Sequence, residues 1–196
     1  MGVGEYLIIF AAILIGLAVA DLSLSLHRLL RQGRDIKWHP IVPATGFIVL
    51  CLILNLWWGL YNGLSDAREM GFLVFLPTVF MLLTLFLLSA AVFPDEKLEK
   101  GASVLDFYLA NRTQFWGLFA TYLMLANVGM FMIGYQREWG PLEYLGAGGL
   151  NTVWMALCIA LIFTERMIFH WIVVTMCLVI SLLAWSDLEL TQAAAG

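Results

Sequence analysis

The stretch AGGLNTVWMALCIALIFTERMIFHWIVVTMCLVISLLAWS, Ala147 to Ser186, decides how this chain is built. It runs for 40 residues with no proline, and with no glycine after Gly149. As one helix it would be about 60 Å long, roughly twice the hydrocarbon thickness of a bilayer. It must therefore break, and Thr164-Glu165-Arg166 is the only charged place in it. Two helices result, over about 147–163 and 168–186, joined by a tight hairpin. Gly146-Ala147-Gly148-Gly149, just before the first of them, has the composition of a flexible loop and lacks a TVGYG filter signature.

Outward from this hairpin the chain repeats the same theme. Of its 196 residues, 62% are hydrophobic and 12% charged, with a mean hydropathy of +0.91. Soluble domains carry about 25% charged residues, so this composition belongs to a bilayer solvent. The apolar runs are continuous rather than alternating, which selects helices over a closed barrel. Four more spans fall at about 6–25, 41–61, 71–93 and 115–135. Gly33 is a natural stop for the first, Pro40 and Pro43 open the second, and Pro77 sits in the opening turns of the third. The expected fold is thus an all-α integral membrane protein, a six-transmembrane-helix bundle in one membrane domain.

The polar insert 94–114 separates spans three and four. Within it, Ser103 and Asp106 can cap a short amphipathic helix carrying Leu105 and Tyr108 along the membrane surface. The alternative is an N-terminal extension of helix four. A three-plus-three division around this insert would give halves of opposite topology, as in inverted-repeat transporters. Simple six-helix packing is the plainer alternative, and no residue-by-residue match between the halves supports the repeat.

Charge sets the direction. With six spans, one side holds Arg28, Arg31, Arg34, Lys37, Lys97, Lys100, Arg112 and Arg166, and the other holds only Arg68 and Arg137. Basic residues favour cytoplasmic loops, so both termini are expected outside. The outer side also carries the acids Glu5, Asp66, Glu69, Glu138, Glu143, Asp187 and Glu189. Tryptophans agree: Trp57, Trp58, Trp139, Trp154 and Trp185 fall near the outer edge, and Trp38, Trp116 and Trp171 near the inner edge. The N-terminus lacks the basic region of a signal peptide and the myristoylation pattern, so the first helix is expected to be a retained span in a bacterial cytoplasmic membrane.

Helix one carries the most informative pattern. Ala12, Gly16, Ala20, Ser23, His27 and Arg31 follow steps of three or four along one stripe. The small residues Ala12, Gly16 and Ala20 let another helix approach closely, from this chain or from a second subunit. Beside them lies Asp21, in the inner third of the bilayer, with Ser25 and Arg28. A carboxylate at that depth is costly and points to pairing or function. It is expected either to pair with Arg28 or Arg166, or to line a proton or cation path. Glu165 and His170 map to the inner mouth of such a path, and Asn55 and Asn127 to its middle.

His27, Arg28 and Arg166 complete an inner polar cluster. Asp21, His27, Glu165 and His170 include metal-ligating and proton-relaying types, and His27 with His170 are the only histidine pair at matching depth for a haem. These residues come from separate helices, an ordinary polar interface accounts for them, and no cofactor is expected. Cys51, Cys158 and Cys177 each fall inside a span, match no metal or redox spacing, and read as apolar core residues.

Several classes are excluded. No lysine lies in a span for a retinal Schiff base, no helix has the spaced arginines of a voltage sensor, and no P-loop, HExxH or GxSxG motif occurs. Basic residues are too few and scattered for nucleic acid. Three functions stay open: a small oligomeric channel or secondary transporter for a cation or proton; a non-catalytic accessory subunit of a larger membrane complex; and an intramembrane metal- or cofactor-dependent enzyme. The expected partners are the lipid bilayer and further copies or other membrane subunits.

Overall fold

A computed structural model describes residues 3–64 and 72–186. Six α-helices follow one another: α1 (Val3–Gln32), α2 (Ile41–Leu64), α3 (Phe72–Val92), α4 (Val104–Gln136), α5 (Pro141–Ile162) and α6 (Met167–Ser186). Among the described residues there is no strand; Lys37 and Ser103 form a single isolated parallel bridge. Five helices, α1 to α5, are long and apolar enough to cross a membrane, and α6 carries a shorter apolar segment, Met167–Leu183. The architecture is an all-helical bundle consistent with an integral membrane protein. Asp66, Arg68, Glu69, Asp187, Glu189 and the side chain of Trp185 lie outside the described residues.

The helix ends have local causes. The chain breaks between Ile162 and Met167, so Thr164-Glu165-Arg166 lies in the turn. α1 runs on past the apolar stretch to Gln32, where Gly33 turns left-handed at φ +53° without the Cβ clash another residue would meet. α5 starts at Pro141, not near 147. Proline suits the first helical position, and the Glu143 carboxylate accepts the Gly140 amide. The Gly146-Ala147-Gly148-Gly149 segment is therefore helix, correcting the loop expected there. One of its glycines faces a close neighbour: a Cβ on Gly148 would stand 3.3 Å from Asn127 Oδ1 on α4.

The insert between α3 and α4 is also shorter than expected. Ser103 caps α4, its Oγ accepting the Asp106 amide at 3.4 Å, and the helix continues unbroken to Gln136. Leu105 and Tyr108 thus belong to an extension of α4, not to a separate surface helix. Tyr108 is buried, which gives the first turns a packing reason to stay in the bundle.

α4 packs against α3, α5 and α2; α1 lies on α3 and α2; α6 runs along α2 and touches α5 less extensively. α1 buries Ala11, Ile15, Ala18, Leu22, Ser25 and Leu29, spaced four, three, four, three and four. That 3.5-residue period is a coiled-coil seam. Lipid tails are as apolar as leucine, so the seam gains by close packing and dispersion rather than by escape from the bilayer.

At the end of the bundle that carries most bases, here the basic end, two connections are zipped together. Lys37 N donates to Ala102 O at 2.8 Å, Val104 N to Lys37 O at 3.1 Å, and Gly101 N to Asp35 O at 2.7 Å. Leu98 N adds a bond to Gln32 Oε1 at 3.0 Å. The α1–α2 and α3–α4 connections therefore form one built surface.

Candidate functional site

The first buried polar group at the basic end is a chain of hydrogen bonds between α4 and the α5–α6 hairpin. Tyr108 and Trp116 stand eight residues apart on one face of α4, both buried. His170, fully buried on α6, meets them. Its Nδ1 lies 2.7 Å from the Tyr108 hydroxyl, and its Nε2 lies 3.0 Å from the Thr164 carbonyl oxygen. The Trp116 indole N–H donates to the same hydroxyl at 3.1 Å. A carbonyl only accepts, so Nε2 carries the proton. Nδ1 then accepts from the Tyr108 hydroxyl, and that hydroxyl accepts from Trp116. Each proton has a partner with the imidazole neutral, so the chain is closed and saturated. The Tyr108 and His170 rings meet edge-on, 5.4 Å between centroids.

Glu165 belongs to the same corner. Arg112 Nη2 reaches Glu165 Oε1 at 2.7 Å, while its Nη1 donates to Leu109 O at 2.7 Å. Arg112 side-chain exposure is 23% and that of Glu165 is 70%, which makes this a surface pair of modest worth. Arg166 is exposed, and its backbone N–H bonds the Thr164 hydroxyl at 3.3 Å. Together these contacts fasten the hairpin to α4.

Asp21 and Ser25 form the second group, one turn apart on α1. Ser25 is fully buried and Asp21 half-buried, and neither Asp21 Oδ2 nor Ser25 Oγ has a hydrogen-bond partner among the described residues. The charges acting on Asp21 are Asp95 and Arg28. Arg28 Nη1, however, donates to the backbone oxygen of Asp95 at 3.3 Å. The clamp expected between Asp21 and Arg28 or Arg166 is therefore absent among the described contacts.

The mid-membrane candidates go elsewhere. Asn55 lines a cavity of about 170 Å³ among α2, α4, α5 and α6, together with Asn151, Ser181, Trp154 and Cys177. α1, and with it Asp21, contributes nothing to that lining. Asn127 lines a separate open groove between α4 and α5; its Nδ2 lies 3.4 Å from Thr152 Oγ1, and its Oδ1 is buried without a partner. The proposed site residues are thus dispersed over distinct places, not gathered on one path.

His27 is exposed on α1 and does not join His170, whose two ring nitrogens are already engaged. The axial pair considered for a haem is not formed, and among the described residues no group of three or more His, Cys, Asp or Glu could hold a metal ion. The three cysteines are buried and free.

The stripe of Ala12, Gly16, Ala20, Ser23, His27 and Arg31 is exposed along its length. It lies about 150° around α1 from the buried seam, at 100° per residue. Nothing stands within 4 Å of a Cβ built on Gly16. Among the described residues no helix packs closely on Gly16, and Ala12 and Ala20 beside it are exposed. Reading the sequence did not pick out Tyr108, Trp116, Arg112 or Asn151 as site residues. The Tyr108–Trp116 spacing marks a shared helix face, but nothing local shows that His170 lies opposite. The chain matches no protein family, no curated protein and no solved structure.

Proposed function

We infer that this chain is a non-catalytic subunit of a membrane protein complex, binding a transmembrane helix of another protein along the exposed small-residue face of α1. The observation that carries this reading is the position of Ala12, Gly16 and Ala20. They sit opposite the packed seam, with open space around Gly16. Small residues at this spacing let a second helix backbone approach closely. His27 and Arg31 end the stripe at the basic end. A parallel second copy would bring like charges together there, whereas a partner helix with a carboxylate at that depth would complement them. In this reading the protein has six spans, with the basic end cytoplasmic and both termini outside, in a bacterial cytoplasmic membrane.

Photoreactive side chains at Ala12 and Ala20 test it in the native membrane. The expected product is one adduct of discrete size, lost in Gly16→Leu, while the purified variant unfolds at the wild-type temperature. An adduct of twice the chain mass would replace the partner by a second copy. No adduct, or one indifferent to Gly16→Leu, would end the proposal.

Asp21 favours a second reading, passage of a cation or proton. Its support is the pair Asp21 Oδ2 and Ser25 Oγ, polar atoms withheld from water with no hydrogen-bond partner among the described residues. Here Asp21 carries the ion, while His170 and Glu165 are held by Tyr108, Thr164 and Arg112. Purified protein in liposomes would then pass ions, and Asp21→Asn would stop the flux without unfolding the chain. Liposomes that stay tight would dismiss it.

A further inference from the structure

At the basic end, Arg28, Arg31 and Lys97 surround a pocket of about 300 Å³ together with Gln32 and Asp35. We propose that this pocket binds the phosphate of an anionic phospholipid headgroup.

The pocket is built from two chain segments. Arg28, Arg31 and Gln32 come from the last turns of α1, and Lys97 from the α3–α4 connection. Those segments are held together across the pocket: Gln32 Oε1 accepts the Leu98 amide at 3.0 Å, and Arg28 donates to Asp95 O at 3.3 Å. Gly101 N bonds Asp35 O at 2.7 Å a few residues further on. The spacing of the three cations is therefore set by backbone and side-chain bonds, not by loose surface chains.

Arg28, Arg31 and Lys97 enter no ion pair among the described residues. The one acid in the lining, Asp35, faces Lys100 at 4.0 Å, so its charge is offset from outside the pocket. Three cations against one compensated acid suit a phosphate, with the guanidinium forks matching its oxygens.

A lipid, rather than free phosphate, is favoured by the surface that leads into the pocket. Ile13, Leu17, Leu24, Arg28 and Arg31 share one face of α1, and the three apolar residues are 60%, 53% and 55% exposed. An apolar track long enough for an acyl chain thus ends at a basic pocket. Basic pockets between helices at the cytoplasmic boundary recognise anionic headgroups in this way. The proposal needs that end of the bundle to lie at the membrane boundary, but not the partner helix or ion passage considered above.

The test uses the purified full chain in neutral detergent, titrated with short-chain phosphatidylglycerol, with short-chain phosphatidylcholine, and with inorganic phosphate. Binding is read by native mass spectrometry and by the shift in unfolding temperature. Phosphatidylglycerol is expected to bind and stabilise, phosphatidylcholine to do neither, and phosphate to act only weakly. The double variant Arg31→Gln/Lys97→Gln, which breaks no described bond, should weaken phosphatidylglycerol binding by about tenfold or more. Arg34→Gln, a basic residue outside the pocket, should leave it unchanged. Equal binding of both lipids, an unchanged double variant, or an equal loss in Arg34→Gln would overturn the site. Full effect with phosphate alone would overturn the lipid.

Discussion

Two buried polar groups sit toward the same end of this bundle and have opposite balances. Around His170, every donor and acceptor has a partner: Trp116 gives to Tyr108, Tyr108 to His170, and His170 to the Thr164 carbonyl. Around Asp21, a carboxylate oxygen and the Ser25 hydroxyl have none among the described residues. A saturated chain between two helices holds them in one geometry, and removing any member strands the rest. An unsaturated group contributes little to holding helices together and stays where it is only because the rest of the fold tolerates it. His170 is thereby tied to architecture, and Asp21 is the group with capacity left for something else.

The largest effect is expected on the saturated side. His170→Phe keeps the volume but strands the Tyr108 hydroxyl and the Thr164 carbonyl. It should cost about 2–3 kcal/mol, read as a lower unfolding temperature in detergent. A loss under about 0.5 kcal/mol would break the comparison at its root. Tyr108→Phe removes one hydroxyl and leaves Trp116 Nε1 and His170 Nδ1 without it, for about 1–2 kcal/mol on the same measurement. A smaller cost than for His170→Phe sharpens the order of the chain; a larger one would make Tyr108 its centre.

On the unsaturated side the expectation reverses. Asp21→Asn should change stability by less than about 1 kcal/mol, because no described hydrogen bond is lost and the charge need no longer be held out of water. A loss as large as that of His170→Phe would reveal a clamp and erase the contrast between the two groups. Glu165→Gln is expected to matter least, about 0.5 kcal/mol at most and less in high salt, since the carboxylate facing Arg112 is mostly exposed. Persistence of its effect in 1 M salt would place the pair among the structural bonds.

Much of the fold was legible. The helices α2, α3 and α6 lie where their apolar runs place them, and the chain turns at Thr164-Glu165-Arg166 because charge in a 40-residue apolar stretch seeks an end. The start of α5 was read too late, and that of α4 was left open between a separate surface helix and the extension the structure shows. There the chain is polar or glycine-rich, and the helix is held by a Ser103 cap, a Pro141 start and packing against neighbours. The Ser103 cap was legible, whereas the packing that keeps these first turns helical is not carried by local composition.

The candidate site was legible only as an inventory. His27, Glu165, Arg166 and His170 mapped to one boundary with Asp21 deeper in the inner third, but depth does not say which way a helix is turned. The small-residue stripe of α1 showed a packing face, and packing inside the chain used the opposite face, with Ala11, Ala18 and Ser25 as its small residues.

By itself, then, the sequence determined that this chain forms long apolar helices, where they break and which end is basic, because those follow from hydropathy and charge along the chain. Only the tertiary structure decided the faces: α1 inward on its 3.5-residue seam, His170 on Tyr108 62 residues away, Asp21 Oδ2 without a hydrogen-bond partner among the described residues. In a bilayer a lipid-facing leucine and a packed one look alike. What separates them is shape and hydrogen bonding between distant residues, and those exist only once the helices have met.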